Sequence, residues 1–244
     1  MLLEAKERLI FPLDFPQLEE ARRWVRVLKE VVGIFKIGLE LYTACGPVAV
    51  EMVRSESKAE VFLDLKLHDI PVTMARAARV ASLQGVDFLT VHLLAGREGV
   101  KRCVEAAEGG MKILGVTILT SHTRADLMEI GYSPELSREI PEAVKRLSSL
   151  AYRTGCYGVV CSGKEVSLVK EAFPHLRTIV PGVRPEWAAD PGDQVRITTP
   201  KEAILAGADY LVVGRPIREA EDPVLAAQKI IAEMKEAFSK RYGQ

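Results

Sequence analysis

Oppositely charged side chains alternate along one short stretch of the chain. Asp64, Lys66 and Asp69 lie in the segment Phe62-Leu-Asp-Leu-Lys-Leu-His-Asp-Ile-Pro71, which begins as an apolar run. In an extended strand, side chains two residues apart point to the same side, so Asp64 and Lys66 are expected to share one face. Fixed charges of this kind can stabilise charge that develops during a reaction. The stretch is therefore a candidate catalytic centre.

Two further charged residues lie in or at the end of apolar runs earlier in the chain. Asp14 ends the first apolar run, and Lys36 lies within the second, in Phe-Lys-Ile-Gly. A structural ion pair would explain any one of these residues alone. Burying several ions costs several kcal/mol each unless they are paired, so an array of this size indicates an electrostatic device.

Residues suited to phosphate binding follow two later apolar runs. Gly214 and Arg215 follow the last run, and Pro181-Gly-Val-Arg184 follows the one before it. Glycine permits close approach of the backbone, and a guanidinium can bind phosphate through two parallel hydrogen bonds. Gln194 lies in the long connection between these segments. A Gly-Arg pair alone would more often be an ordinary turn, but together these residues favour a phosphate site.

Strand-length apolar runs alternate with longer segments of helical periodicity, which predicts a parallel sheet. The eight predicted strands are residues 9–15, 34–37, 61–65, 88–92, 113–119, 158–161, 178–180 and 210–213. Clear helical patterns include residues 18–31, 73–84, 140–154 and 224–238. Eight such units in 244 residues are typical of a (β/α)8 barrel, or TIM barrel, so residues 1–244 are predicted to form a single α/β catalytic domain. The long connections 120–137 and 183–199 are candidate lids.

The composition argues against several other classes of protein. Lys plus Arg equals Asp plus Glu at 33 each, so no overall charge attracts nucleic acid or an anionic membrane. The four cysteines form no CxxC pair, and the four histidines show no metal-binding spacing. No apolar run approaches membrane-spanning length, and the first residues lack a signal-peptide pattern. We expect a cytoplasmic protein without a metal site.

Taken together, these segments resemble the orotidine 5′-monophosphate (OMP) decarboxylase family over essentially the whole chain. The pattern Asp64-x-Lys66-x-x-Asp69-Ile70-Pro71-x-Thr73 resembles the family signature. Further matching segments are Leu13-Asp14-Phe15, Phe35-Lys36-Ile37-Gly38, Val116-Thr-Ile-Leu-Thr-Ser121, Val180-Pro-Gly-Val-Arg-Pro185, Gly192-Asp-Gln194 and Val213-Gly-Arg-Pro-Ile217. The DxKxxD motif alone is shared with a larger superfamily, but all these segments in this order are specific.

The resemblance implies decarboxylation of OMP to uridine 5′-monophosphate (UMP) and CO2, the last step of de novo UMP biosynthesis, without metal or cofactor. Lys66 is then the general acid that protonates the carbanion, and Asp64 and Asp69 keep it charged and aimed. Asp64 would face the departing carboxylate. Lys36 would hold Asp64 and, with Asp14, bond ribose hydroxyls.

The resemblance also implies substrate contacts and an assembly. We predict that Thr120 and Ser121 contact the pyrimidine, and that residues 183–199 close over the phosphate. The predicted phosphate-binding residues are Pro181, Arg184, Gln194, Gly214 and Arg215. In the family, Asp69, Ile70 and Thr73 enter the active site of the other subunit, which implies a homodimer.

Two alternatives stay open at this point. A Mg2+-dependent sugar-phosphate decarboxylase or synthase of the same superfamily would share the DxKxxD motif. Those relatives carry an acidic residue on the second strand, whereas this chain has Lys36, which would repel a cation. A non-catalytic nucleotide-binding barrel would keep the phosphate site alone, and the intact charge array argues against it.

Overall fold

Eight parallel strands close into one barrel in sequence order, with β8 paired to β1. The computed structural model describes residues 4–133, 139–188 and 198–243. The strands are β1 Leu9–Pro12, β2 Ile34–Ile37, β3 Glu60–Leu67, β4 Phe88–His92, β5 Lys112–Val116, β6 Gly158–Val160, β7 Arg177–Val180 and β8 Tyr210–Val212. The predicted (β/α)8 barrel is confirmed.

Helices follow the strands and cover the outside of the barrel. They are α1 Leu18–Leu28, α2 Leu39–Cys45, α3 Val48–Glu56, α4 Pro71–Leu83, α5 Gly96–Ala106, α6 Arg124–Glu129, α7 Ile140–Thr154, α8 Val166–Ala172, α9 Pro200–Ala206, α10 Arg215–Arg218 and α11 Pro223–Tyr242. Short 3-10 helices occur at Ala5–Arg8, Leu93–Ala95, Gly163–Glu165 and Glu186–Ala188. Within the described residues, no helix combines the length and apolar character that crossing a membrane requires.

Four predicted strands extend beyond the observed ones at their C-terminal ends, the sixth and the eighth by one residue each. The first ends at Pro12 rather than residue 15, and the fifth at Val116 rather than residue 119. Leu13, Phe15 and Ile118 are nevertheless buried and belong to the hydrophobic core. Hydrophobicity alone does not distinguish a ladder residue from a buried loop residue.

The core has two layers. Most buried residues lie between the outer face of the barrel and its helices. A smaller cluster takes residues from nearly every strand and therefore fills the barrel interior; its members are Ile10, Ile34, Phe62, Phe88, Leu114, Ile179, Tyr210 and Val212. This interior layer packs directly below the residues at the C-terminal ends of the strands.

A buried ion cluster occupies the opposite, N-terminal end of the barrel. Asp209 directly precedes β8 and is 1% exposed. Its carboxylate accepts from Lys170 Nζ at 2.5 Å, Arg177 Nη1 at 2.7 Å and the backbone N–H of Thr178 at 2.9 Å. Burial acts to raise the pKa of Asp209, but the cations and hydrogen bonds outweigh it, so the pKa is lowered. This end of a barrel usually serves stability.

Candidate active site

A cleft of about 510 Å³ opens at the C-terminal ends of the strands. Phe62, Ile179 and Val212 of the interior layer line its base. The predicted site residues that line it are Asp14, Lys36, Asp64, Lys66, Thr120, Pro181, Arg184, Gly214 and Arg215. The fold therefore joins residues from both ends of the chain in one cavity, as the barrel prediction requires.

Four charged residues form a continuous chain across one side of the cleft. Lys36 Nζ lies 3.3 Å from Asp14 Oδ1 and 3.6 Å from Asp64 Oδ2. Lys66 Nζ donates to Asp64 Oδ1 at 3.0 Å. Because Asp64 stands between two ammonium groups, its charge is compensated on both sides.

The backbone of β3 is irregular where it carries these residues. Leu63 pairs with Leu89 and Leu67 with Val91, so four steps along β3 face two along β4. Lys66 lies within this register shift and has a φ of 51°, in the left-handed region. Among the residues described, it is the one non-glycine residue with a positive φ. Such a conformation costs an L-residue about 1–2 kcal/mol. The two side chains share the cleft as predicted, but through a bulge rather than regular alternation.

Thr90 in β4 completes the hydrogen bonds that the irregular strand leaves open. Its hydroxyl accepts from the Lys66 backbone N–H at 2.9 Å and donates to Asp64 Oδ1 at 2.9 Å. Thr90 is fully buried. One side chain thus holds both the strained backbone and the carboxylate in place.

The surroundings of Asp64 keep it ionised. Burial acts to raise the pKa of Asp64, but attraction to Lys36 and Lys66 and the bonds from Lys66 and Thr90 outweigh it, so the pKa falls below the ordinary value of 3.8. Asp64 is therefore a carboxylate at neutral pH and holds positive charge beside it.

Asp69, Ile70 and Thr73 do not line the cleft of this chain among the residues described. All three are exposed, and Ile70 keeps 66% of its surface accessible. Asp69 Oδ1 accepts from the Ile70 backbone N–H at 2.6 Å, at the turn into α4. The turn points these side chains outward, so a single chain places only part of the predicted array in its cleft.

The other side of the cleft is rich in arginine. Arg184 is 7% exposed and donates to the carbonyl of Val183 at 2.9 Å. Arg215 opens α10 directly after β8 and also lines the cleft. Gly214 packs against β1, where an added Cβ would lie 2.9 Å from Pro12 Cγ. The predicted phosphate end is therefore closely packed and positively charged.

Two predicted contacts are not found in the described cleft. Ser121 is exposed because the chain turns away after Thr120, with His122 N–H donating to the Leu119 carbonyl at 3.0 Å. Gln194 and the centre of the predicted lid, residues 189–197, lie outside the described residues. The ends of that connection meet where Arg184 N–H donates to the Thr198 carbonyl at 3.0 Å.

Sequence reasoning missed two residues of the site. Thr90 is the one hydroxyl residue in the buried run Phe88–His92, a signal that could have identified it. Arg218 also lines the cleft and follows Arg215 at helical spacing. Both signals are weak without knowledge of which strands and loops lie together.

His92 ends β4 near the array but has structural partners. Its Nδ1 accepts from the Leu94 backbone N–H at 3.3 Å, and its ring stacks on His68 with 5.5 Å between centroids. Burial, with the charges of His68, Lys66 and His122, lowers the pKa of His92 to about 4. His92 is therefore neutral at physiological pH.

Fold and cleft together define a (β/α)8-barrel enzyme with a charged site at the C-terminal ends of its strands. Residues 7–230 match the family model described as Orotidine 5′-phosphate decarboxylase / HUMPS family. The chain belongs to this family.

Named relatives match over nearly their full length. The chain is 48% identical to orotidine 5′-phosphate decarboxylase of Syntrophotalea carbinolica, covering 98% of this chain and 100% of that protein. It is 46% identical to the enzyme of that name from Anaeromyxobacter sp., covering 94% and 99%. The crystal structure of orotidine 5′-phosphate decarboxylase from Lactobacillus acidophilus superposes with a TM-score of 0.79 at 31% identity, covering 93% and 98%.

Proposed function

We propose that this protein decarboxylates OMP to UMP and CO2, a step of pyrimidine biosynthesis. The observation that carries the proposal is the continuous Asp14, Lys36, Asp64, Lys66 array, which faces an arginine-rich end across one cleft. Family membership and 48% identity to a protein of this name support it.

Lys66 suits the hard step of this reaction. When the bond from C6 to the carboxylate breaks, the electron pair stays on C6 in the ring plane and cannot delocalise into the π system. The Lys66 ammonium stabilises that pair and then gives C6 its proton, becoming an amine that regains a proton from solvent. Its hydrogen bond to Asp64 at 3.0 Å keeps it aimed.

Asp64 and Lys36 prepare the site before substrate arrives. Asp64 remains ionised and would lie near the carboxylate of OMP, so repulsion there would favour loss of CO2. Lys36 holds Asp64 from the other side and, with Asp14, is placed to bond the ribose hydroxyls. Thr120 and Ser121 remain the candidates for contacts with the pyrimidine.

The arginine end would bind the phosphate, which does not react. Interactions with a remote group can organise the site and lower the barrier at the reacting carbon. The candidate phosphate-binding residues are Pro181, Arg184, Gln194, Gly214 and Arg215. We propose that residues 183–199 close over the phosphate, with Gln194 and Arg215 as its main contacts.

A homodimer would complete the charge array. Asp69, Ile70 and Thr73 are exposed on this chain, and Val72 beside them keeps 45% of its surface accessible. In a twofold assembly these residues would enter the partner's cleft, where Asp69 would face Lys66.

Mixed dimers of two inactive variants test this arrangement. A heterodimer of Lys66→Ala and Asp69→Ala contains one site with both residues intact. Refolding an equal mixture should therefore restore about a quarter of wild-type activity, since half of the dimers are mixed and each has one good site. If no activity returned although dimers formed, Asp69 would act within its own chain.

A direct assay tests the proposed activity. The purified protein is mixed with OMP in EDTA, and the fall in orotate absorbance is followed beside a Lys66→Ala control. We expect rapid loss in the wild type and none in the variant. Lys36 Nζ lies 3.6 Å from Asp64, where an ammonium would repel Mg2+, so a need for added Mg2+ would favour the sugar-phosphate relatives instead.

We also propose that the protein works in the cytoplasm. None of its four cysteines, all within the described part of the chain, forms a disulfide, and burial raises the pKa of Cys103 to about 12 and of Cys156 to about 11. Protonated, buried thiols suit a reducing compartment. Cell fractionation with an antibody to the chain would test the location.

A further inference from the structure

Arg218 is a third guanidinium at the arginine-rich end of the cleft. It lies three residues after Arg215 in α10, and both side chains line the cavity together with Arg184. Residues at this spacing are neighbours on one helix face. On the other side of the cleft, the two aspartates of the array balance its two lysines. The excess positive charge of the cleft therefore comes from its arginines.

The Arg218 guanidinium is held across the rim of the barrel. It lies over the Phe15 ring, 6.0 Å from the centroid. Phe15 is 4% exposed and stacks on Trp24 with centroids 5.8 Å apart, so the surface under the guanidinium is fixed. Contact with an aromatic face orients a guanidinium while its N–H edge can still donate.

The ion pair between Arg218 and Glu219 does not explain why Arg218 lies at the cleft. Arg218 Nη2 lies 3.5 Å from Glu219 Oε1, and 63% of the Glu219 side chain is exposed. Pairs of this kind contribute little to stability. A guanidinium carries five N–H donors, and this contact uses one nitrogen. A phosphate monoester carries a charge between −1.5 and −2 near neutral pH and offers several strong acceptors.

We propose that Arg218 determines specificity for the phosphate group by binding it beside Arg215. The inference rests on the proposed function, since it names a further contact for the same substrate. It also assigns a role to the Phe15 contact, which places the guanidinium between the start of α1 and the anion end of the cleft.

Arg218→Gln tests this role by removing the positive charge and the paired N–H donors of the guanidinium. Loss of one charge-assisted bond should raise KM for OMP and the inhibition constant of inorganic phosphate by about tenfold each, with kcat nearly unchanged. Activity on orotidine, which lacks the phosphate, should not change. Arg218→Lys should recover part of the loss, since it keeps the charge but not the paired donors.

Arg146→Gln is the matched control, because Arg146 forms an exposed ion pair with Glu142 outside the cleft. It removes the same net charge and should leave all these constants unchanged. The proposal is overturned if Arg218→Gln behaves like the control, or if orotidine and OMP lose activity equally. If the wild type fails to decarboxylate OMP, the proposed function is wrong, and calorimetric titration of both proteins with inorganic phosphate still decides the role of Arg218.

Discussion

Asp64, whose side chain is 14% exposed, and the buried Asp209 are carboxylates at opposite ends of the barrel, and each contacts two cations. In both, burial acts to raise the carboxyl pKa, but the neighbouring cations outweigh this effect and the pKa is lowered. Asp209 lies between Lys170 and Arg177, and Asp64 between Lys36 and Lys66. The same electrostatic arrangement therefore occurs once at each end of the strands.

The two clusters differ in what their cations contact besides the aspartate. Lys170 Nζ also donates to the Leu176 carbonyl at 2.9 Å, so the cation of the Asp209 cluster has a further partner within the protein. Lys36 and Lys66 line the cleft, so part of their hydrogen-bonding capacity faces that open space. A closed cluster stabilises the fold, whereas an open one presents charge. Paired substitutions at the two ends can separate these roles.

Removing one lysine from each cluster should give the largest contrast. Lys66→Ala takes away both the charge proposed to stabilise the carbanion and the proposed proton donor, so kcat should fall about 10⁴-fold or more. Lys170→Ala lies at the far end and should keep kcat within about twofold in the folded protein. Decarboxylation rates on samples checked by circular dichroism measure both. Similar losses in the two variants would contradict the division of roles.

Asp209→Asn should give the largest loss of stability. It leaves Lys170, whose side chain is only 13% exposed, without its counter-charge, which should lower the free energy of unfolding by about 3–5 kcal/mol at pH 7. Urea denaturation measures the loss, and kcat should be unchanged. Because the folded pKa of Asp209 lies below its ordinary 3.8, its contribution is present above that pH and disappears on further acidification. A difference between the proteins that stayed constant below pH 3.8 would contradict this account.

Isosteric substitutions of Thr90 and Thr178, one in each cluster, should have smaller effects. Thr90→Val removes the hydroxyl that bridges Asp64 and the Lys66 backbone, at a cost of about 1–3 kcal/mol in unfolding free energy. Because the array loses its support, kcat should also fall by about tenfold. Thr178→Val removes a hydroxyl that lies 3.3 Å from Asp209 and should affect stability alone. Equal effects on kcat would show that the Thr90 bridge does not position the array.

The smallest expected effect concerns the backbone of Lys66. Its φ of 51° suits glycine better than any residue with a Cβ. Lys66→Gly should therefore be more stable than Lys66→Ala by up to about 1 kcal/mol, although both lack the ammonium. Thermal unfolding of the two inactive proteins measures the difference. If the alanine variant were the more stable, the left-handed conformation would not be strained.

The sequence predicted most of the barrel because each unit carries a local signal. Alternation of apolar runs with helical patterns identified the eight strands, and residues at strand ends then pointed to Asp14, Lys36, Asp64 and Lys66. These predictions depend on nearby residues and on a known rule for barrels. They did not require knowledge of long-range contacts.

Features that depend on pairing between strands could not be read in this way. The positive φ of Lys66 follows from the register between β3 and β4, and the role of Thr90 follows from the same register. Asp209 meets Lys170 only after α8 and the start of β8 pack together. Side-chain types alone do not encode such registers.

The pairing of β8 with β1 has a consequence for synthesis of the chain. Ile10 pairs with Val212, and Arg218 reaches Phe15, so the first and last parts of the chain meet at the seam that closes the barrel. A nascent chain that has not yet emerged beyond β8 lacks both the seam and the arginine end of the cleft. Contacts this distant in sequence form slowly and leave strand edges open in the meantime. A working binding site therefore forms only after the chain has been synthesised at least as far as Arg218.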